Sequence, residues 1–208
     1  MIDIQLRKRG IRDENVLSSM MQVPRHLFVP PMFENSAYSD SPLPIGNGQT
    51  ISQPYIVAFM TQCADLKKTD KVLEIGTGCG YAAAVISHIV DAVHTVETIQ
   101  PLAEASKRRL RELGYSNVHV HHGDGSRGLP EFAPYDAIIV TASGPEIPKS
   151  YLKQLIVGGR LVMPVQKGQG MLATEQLVKV TKRDGNHYDE ENLVEVRFVP
   201  LVGEEGWN

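Results

Sequence analysis

Val72-Leu73-Glu74-Ile75-Gly76-Thr77-Gly78-Cys79-Gly80-Tyr81 reads as an apolar strand, a glycine turn and the opening of a helix. Glycines at such a turn admit backbone angles and close approaches that a β-carbon blocks. Outward from this stretch the chain alternates. An apolar helix over 81–90 precedes a strand over 93–96. Pro101 then opens a helix with Leu102, Ala103, Ser106, Leu110 and Leu113 facing inward and Gly114 as its stop. Strands follow over 118–121 and 136–140, the latter apolar enough to be covered on both faces. A helix over 149–156 leads through Gly158-Gly159 into a strand over 160–165. Two last strands are expected over 172–181 and 193–200, with a turn at Asp184-Gly185-Asn186. Strand and helix in alternation imply right-handed crossovers and a mostly parallel α/β sheet with helices on both faces. Ligands of such sheets bind at the carboxyl ends of the strands, here around residues 76–80, 97, 123–125 and 141–144.

The first fifty residues have a different texture. A short helix over 13–21 leads into an arm rich in turn residues: Pro24, Pro30, Pro31, Pro42, Pro44, Gly46 and Gly48. Long loops of this kind are usually functional. Pro54 suits the first turn of a helix over 54–66, with Ile56, Phe59, Met60 and Cys63 on one face. The whole reads as one domain: an N-terminal arm and substrate loop over 1–53, a cofactor-binding core over 54–165 and C-terminal strands over 166–208.

At 208 residues the chain is large enough to need neither metal nor disulfide for stability. Its formal net charge of −3 argues against a general binder of nucleic acid or anionic membrane. Two cysteines, Cys63 and Cys79, exclude a disulfide scaffold and fit a reducing compartment. With no secretory signal or membrane-length apolar run, the expectation is a cytoplasmic monomer.

The glycine turn invites a phosphate, so a dinucleotide must be weighed. The spacing is G-x-G-x-G, with Tyr81 where G-x-G-x-x-G has its last glycine. Glu74, two residues before Gly76, is poorly placed for a pyrophosphate and well placed for a cation. Glu97, 21 residues after Gly76, suits ribose hydroxyls. Asp124, in Gly123-Asp124-Gly125, suits an adenine amino group. An adenosine that carries a cation rather than phosphates is S-adenosylmethionine. Its expected binding residues are Glu74, Gly76, Thr77, Gly78, Gly80, Glu97, Asp124 and Gly125.

Longer runs make the pattern specific. Val23-Pro24-Arg25-His26-Leu27-Phe28-Val29-Pro30, then Pro42-Leu43-Pro44-Ile45-Gly46-Asn47-Gly48-Gln49-Thr50-Ile51-Ser52-Gln53-Pro54, and Val196-Arg197-Phe198-Val199-Pro200-Leu201 stand beside Leu73–Tyr81, Gly123–Gly125 and Asp136–Ala142. Together they resemble the protein-L-isoaspartate O-methyltransferase family over nearly the whole chain. Cys79, where serine is common, and Ser143-Gly144 are small departures. The resemblance implies a Rossmann-like methyltransferase fold with a seven-stranded sheet. It also implies methyl transfer to the free α-carboxylate of L-isoaspartyl residues in damaged proteins and peptides, leaving S-adenosylhomocysteine. The ester then closes to a succinimide without the enzyme.

An α-carboxyl with a pKa of about 3.5 is already ionised, so no general base is required and catalysis is by positioning. Hydroxyls and backbone N–H groups are expected around the acceptor. The resemblance points to Ser52 as the orienting catalytic residue, with Thr50, Ile51, Gln53 and Val199 as substrate contacts. Ser52 or Gln53 also precedes a proline-started helix, where serine is a common cap, and both roles can coexist. The segment Arg197-Phe198-Val199 reads equally as a groove wall for an extended peptide or as an interior final strand.

Other signals carry less. His119, His121 and His122 lack further ligands for a metal, and none is expected. Lys107-Arg108-Arg109 with Arg111, and Arg7-Lys8-Arg9, read as solvated faces rather than nucleic-acid sites. A methyltransferase for a small molecule or nucleic acid, and a cofactor-binding module without turnover, are the alternatives.

Overall fold

The computed structural model describes residues 1–168, 173–185 and 187–207. Helix α1 is Glu14–Gln22, capped by the Asp13 carboxylate, which accepts the Asn15 and Val16 amides at 2.8 and 3.3 Å. The arm that follows forms two short 3-10 turns, Arg25–Phe28 and Pro31–Ser36, and then a hairpin of β1 (Leu43–Gly46) and β2 (Gln49–Ile51). This hairpin departs from the irregular arm expected. Its signal is Asn47-Gly48, both at positive φ (50° and 71°), the pair that a two-residue hairpin turn selects.

The remaining elements are α2 (Pro54–Cys63), β3 (Lys71–Ile75), α3 (Tyr81–Ser87), β4 (Ala92–Glu97), α4 (Gln100–Glu112), β5 (Val118–His122), β6 (Tyr135–Val140), α5 (Lys149–Gln154), β7 (Leu155–Lys167), β8 (Thr174–Lys182) and β9 (Tyr188–Val196). They build a seven-stranded sheet in the order β5-β4-β3-β6-β7-β8-β9, in which β8 alone runs against the others. Alternate residues of the central strands feed opposite faces. Val72, Ala137, Ile139 and Val162 join the core beneath α1, α2 and α3, whereas Leu73, Ile138, Val140 and Leu161 join the core with Tyr151 of α5. Burying both faces is why these strands are apolar runs.

Three expected boundaries move. The helix over 149–156 stops at Gln154, because Leu155 already pairs with Tyr135. The last strand lies at Tyr188–Val196 rather than 193–200, and Phe198–Val199 run on outside it. In α2 the buried face is Pro54, Val57, Ala58, Met60 and Thr61, so Ile56, Phe59 and Cys63 are only half-buried. Parts of the turn at 184–186 and of the strand start at 172 lie outside the described residues.

The chain winds from β3 outward through β4 to β5, then returns to place β6 on the other side of β3. The carboxyl ends of β3 and β6 therefore form the switch point, where such sheets open a crevice.

Candidate active site

A cavity of about 790 Å3 opens at that switch point, bounded by the glycine loop, the ends of β3, β4 and β6, the hairpin segment Gln49–Gln53, and the chain from Glu195 to Val202. Gly76 leaves β3 at φ 95°, and a β-carbon there would meet Thr141 Oγ1 at 2.3 Å. Thr141 follows β6 and ties the two strands together, its hydroxyl donating to the carbonyls of Ile75 and Gly76 at 3.0 and 2.8 Å. At the far end of the loop a β-carbon on Gly80 (φ 90°) would strike Leu110 Cδ1 at 2.9 Å. Glycine at both positions is thus a packing requirement as well as a conformational one.

The loop amides are turned inward. Those of Gly76 and Thr77 donate to the Val96 carbonyl at 2.9 and 3.3 Å, and that of Gly80 to the Thr77 carbonyl at 2.8 Å. The Gly78 amide donates to Glu97 Oε2 at 2.8 Å. A phosphate cradle needs such amides free and directed at the ligand. The charged side chains lining the cavity are Glu97, Glu195 and Arg197, with no lysine and no second arginine. These two observations fit an adenosine bearing a cation and argue against a pyrophosphate.

Of the expected cofactor residues, Gly76, Thr77, Gly78, Glu97 and Gly125 line the cavity. Glu97 is buried and also accepts the Ile99 amide at 3.0 Å, so each oxygen takes one backbone donor and keeps capacity for another. The other three do not line the cavity. Glu74 does not face the cavity. It is fully buried behind the loop, where desolvation and the neighbouring Glu97 push its carboxyl up to about 8 against the pull of the Thr95 hydroxyl bond at 2.5 Å. A group protonated near neutrality offers no counter-charge to a cation; it anchors Thr95, whose hydroxyl meets that of Thr77 at 2.7 Å. Gly80 faces Leu110 rather than the cavity. Asp124 lies outside the lining. Its Oδ1 accepts the amide and hydroxyl of Ser126 at 2.9 and 2.7 Å, and its Oδ2 accepts the Glu204 amide at 2.9 Å. Desolvation raises the Asp124 carboxyl, but those bonds outweigh it and hold it below its ordinary value. Asp124 therefore fastens the C-terminal segment.

All five expected acceptor-side residues, Thr50, Ile51, Ser52, Gln53 and Val199, line the same cavity. Ser52 is not the cap of α2. That position belongs to Gln53, whose own side chain makes no cap bond. The capping acceptor comes from the arm: Asp40 Oδ1 accepts the Tyr55 amide at 3.2 Å, and Asp40 Oδ2 accepts Gln53 Nε2 at 2.8 Å. Half-buried Ser52 is left facing the cavity. Val199 presents its side to the same space while its carbonyl accepts the Ser143 amide at 2.8 Å.

Sequence reasoning missed several lining residues. Thr98 and Ile99 follow Glu97 at a strand's carboxyl end, where the strand-end rule reaches them; Thr141 and Ala142 lie in the 141–144 stretch already expected at the site. Ile56 and Val57 carry no local signal; only the packing of α2 brings them in. Tyr81, the first residue of α3, is buried yet touches the cavity.

Residues 1–206 match the family model described as protein-L-isoaspartate(D-aspartate) O-methyltransferase. The chain is 55% identical over 207 residues to protein-L-isoaspartate O-methyltransferase 2 of Pelobacter propionicus, covering 100% of this chain and 91% of that one. A solved protein-L-isoaspartate O-methyltransferase superposes with a TM-score of 0.87 at 32% identity, over 99% of this chain and 67% of that one. A second, a putative enzyme of the same name from Plasmodium falciparum in complex with S-adenosyl-L-homocysteine, gives 0.82 at 25% identity over 97% and 96% of the two chains. With the glycine loop, the switch-point cavity and the Gly48–Pro54 segment in their expected places, the chain belongs to the protein-L-isoaspartate(D-aspartate) O-methyltransferase family.

Proposed function

We propose that this cavity transfers the methyl group of S-adenosylmethionine to the free α-carboxylate of L-isoaspartyl residues in proteins and peptides, the ester then closing to a succinimide on its own. The observation that carries this reading is the make-up of the cavity. A glycine loop with four internally bonded amides beside Glu97, and a hydroxyl-bearing segment, Thr50–Gln53, that carries no acid or base, line the same space.

S-adenosylmethionine, when bound, supplies an electrophilic methyl group on a sulfonium. Gly76, Thr77, Gly78 and Gly125 would hold it, and Glu97 would accept from its ribose hydroxyls. The acceptor arrives ionised, since an α-carboxyl has a pKa of about 3.5. The protein's task is therefore orientation without proton abstraction. Ser52 donates to one carboxylate oxygen and leaves the other free to attack. A hydroxyl suits this better than a guanidinium, which would hold the anion too tightly. Thr50, Ile51, Gln53 and Val199 shape a groove for a backbone that carries its carboxylate one carbon out of register, which is how isoaspartate differs from aspartate. Apolar walls from Ile56, Val57 and Ala142 exclude water.

The same reading takes the chain as a single catalytic unit, a cytoplasmic monomer that binds neither nucleic acid nor membrane. Its support is a net charge of −3 and, among the described residues, no helix long and apolar enough to cross a membrane.

The test is methyl-labelled cofactor with paired peptides carrying isoaspartate or aspartate at one site. Base-labile volatile methanol from the isoaspartyl peptide alone is expected. Ser52→Ala is expected to lower kcat/KM by roughly 10- to 100-fold, the size of one hydrogen bond to a charged group, while S-adenosylhomocysteine binds as before. Unchanged turnover would remove Ser52 from the mechanism.

A further inference from the structure

Arg25 is fully buried, and no carboxylate pairs with it among the described residues. The other buried arginine, Arg160, meets Asp70 at 2.6 Å. Interiors seldom retain an uncompensated cation, because desolvating it costs several kcal/mol. Arg25 instead spends its rigid fork on two backbone carbonyls from separate parts of the chain. Nε donates to Ala37 of the arm at 2.7 Å, and Nη2 donates to Ser52 at 2.8 Å. Its guanidinium carbon lies 4.7 Å from the centroid of the Tyr81 ring, the first residue of α3 after the glycine loop. The third nitrogen, Nη1, is buried without a partner.

One residue away, Asp40 grips the other side of the same segment through Gln53 Nε2 and the Tyr55 amide. Arg9, stacked on Tyr55 with its guanidinium carbon 3.6 Å from the ring centroid, pairs with Asp40 from outside. The arm thus takes hold of Ser52 by its carbonyl and of Gln53 and Tyr55 just beyond, while Ser52's side chain stays in the cavity.

We propose that Arg25 is a positioning residue for methyl transfer: through the Ser52 carbonyl and the Tyr81 ring it sets the acceptor-side hydroxyl against the cofactor-side loop. The proposal rests on the reading that Ser52 orients the acceptor. The Arg25 guanidinium meets Ser52 at its carbonyl, so the coupling runs through the backbone of Ser52. Lysine keeps the charge but replaces a planar fork with a single point of donation, and cannot hold both carbonyls in the same geometry.

The test compares wild type, Arg25→Lys, Ser52→Ala and the double variant by kcat and KM on an isoaspartyl peptide, by the dissociation constant of S-adenosylhomocysteine, and by thermal unfolding. Arg25→Lys is expected to lower kcat/KM about tenfold, the size of one charged hydrogen bond, with S-adenosylhomocysteine binding within about twofold of wild type. In the Ser52→Ala background the same change is expected to cost less than about twofold, because the hydroxyl it aims is gone. Equal losses in both backgrounds, or a loss matched by weaker S-adenosylhomocysteine binding, would overturn the proposal. Full activity of Ser52→Ala would instead sink the reading beneath it. If Arg25→Lys does not fold, Asp40→Asn takes its place with the same expected pattern. Failure of both to fold would show the arm to be a stability element only, and would also overturn the proposal.

Discussion

The Gly78 amide donates to Glu97 Oε2 at 2.8 Å, so the acid that ends β4 braces the glycine loop that ends β3. Glu97 therefore serves the cavity twice, as a wall and as the anchor of the loop. Glu97→Ala is expected to weaken S-adenosylhomocysteine binding by roughly 10- to 100-fold, since it removes an acceptor of two backbone amides. Glu97→Gln keeps one amide acceptor and should lose less. Titration calorimetry on the two variants checks the order; equal affinity in wild type and Glu97→Ala would contradict it.

Glu74 gives a stability signature on the alkaline side. Its carboxyl titrates near 8 in the folded protein, raised by burial, against about 4.3 unfolded. A raised folded value means the protonated form is favoured by folding. The contribution is whole below about pH 4 and is lost as pH rises through 8. Glu74→Gln is expected to melt higher than wild type by a few degrees at pH 9, with little difference near pH 5. Melting curves at the two pH values decide this; a difference independent of pH would refute the burial argument.

His94 gives the opposite signature. Its imidazole is buried beside His119, His121 and Lys71, and burial, followed by the repulsion a second positive charge would meet there, lowers it to about 4 from about 6.5. Its Nδ1 lies 3.1 Å from His121 Nε2, a spacing that requires one ring to offer an unprotonated nitrogen. A depressed folded value means stability is whole above about pH 6.5 and is lost as pH falls toward 4. His94→Phe, placed among Phe132 and Tyr135, is expected to flatten the drop in melting temperature between pH 7 and 5. An unchanged slope in that variant would move the acid sensitivity elsewhere.

The three histidines illustrate how far local reading reaches. His119 and His121 share a strand face as their spacing implies, but β4 adds His94 opposite His119, and the product is an aromatic stack with Phe132. Among the described residues no group of histidine, cysteine or acid side chains is arranged to hold a metal. Ser52 makes the complementary point. Its neighbours allowed a cap and an orienting hydroxyl together, but Asp40 supplies the capping acceptor of α2 and Ser52 lines the cavity.

What the amino-acid order determined by itself is everything with a short period: apolar runs that must be covered on both faces, the glycine turn after Ile75, Pro54 and Pro101 inside the starts of helices, and hence the sheet, its switch point and the ends of the cavity. Tertiary structure alone decided which carboxylates face that cavity. Glu74 and Glu97 both sit near strand ends beside the loop, yet one is a buried strut held by Thr95 and the other lines the cavity, because Glu74 lies within β3 against Thr95 of β4 and Glu97 is the last residue of β4. The grip of Arg25 on Ser52, 27 residues away, belongs to the same category. Such contacts depend on which surfaces meet after collapse, and no residue spacing along the chain encodes them.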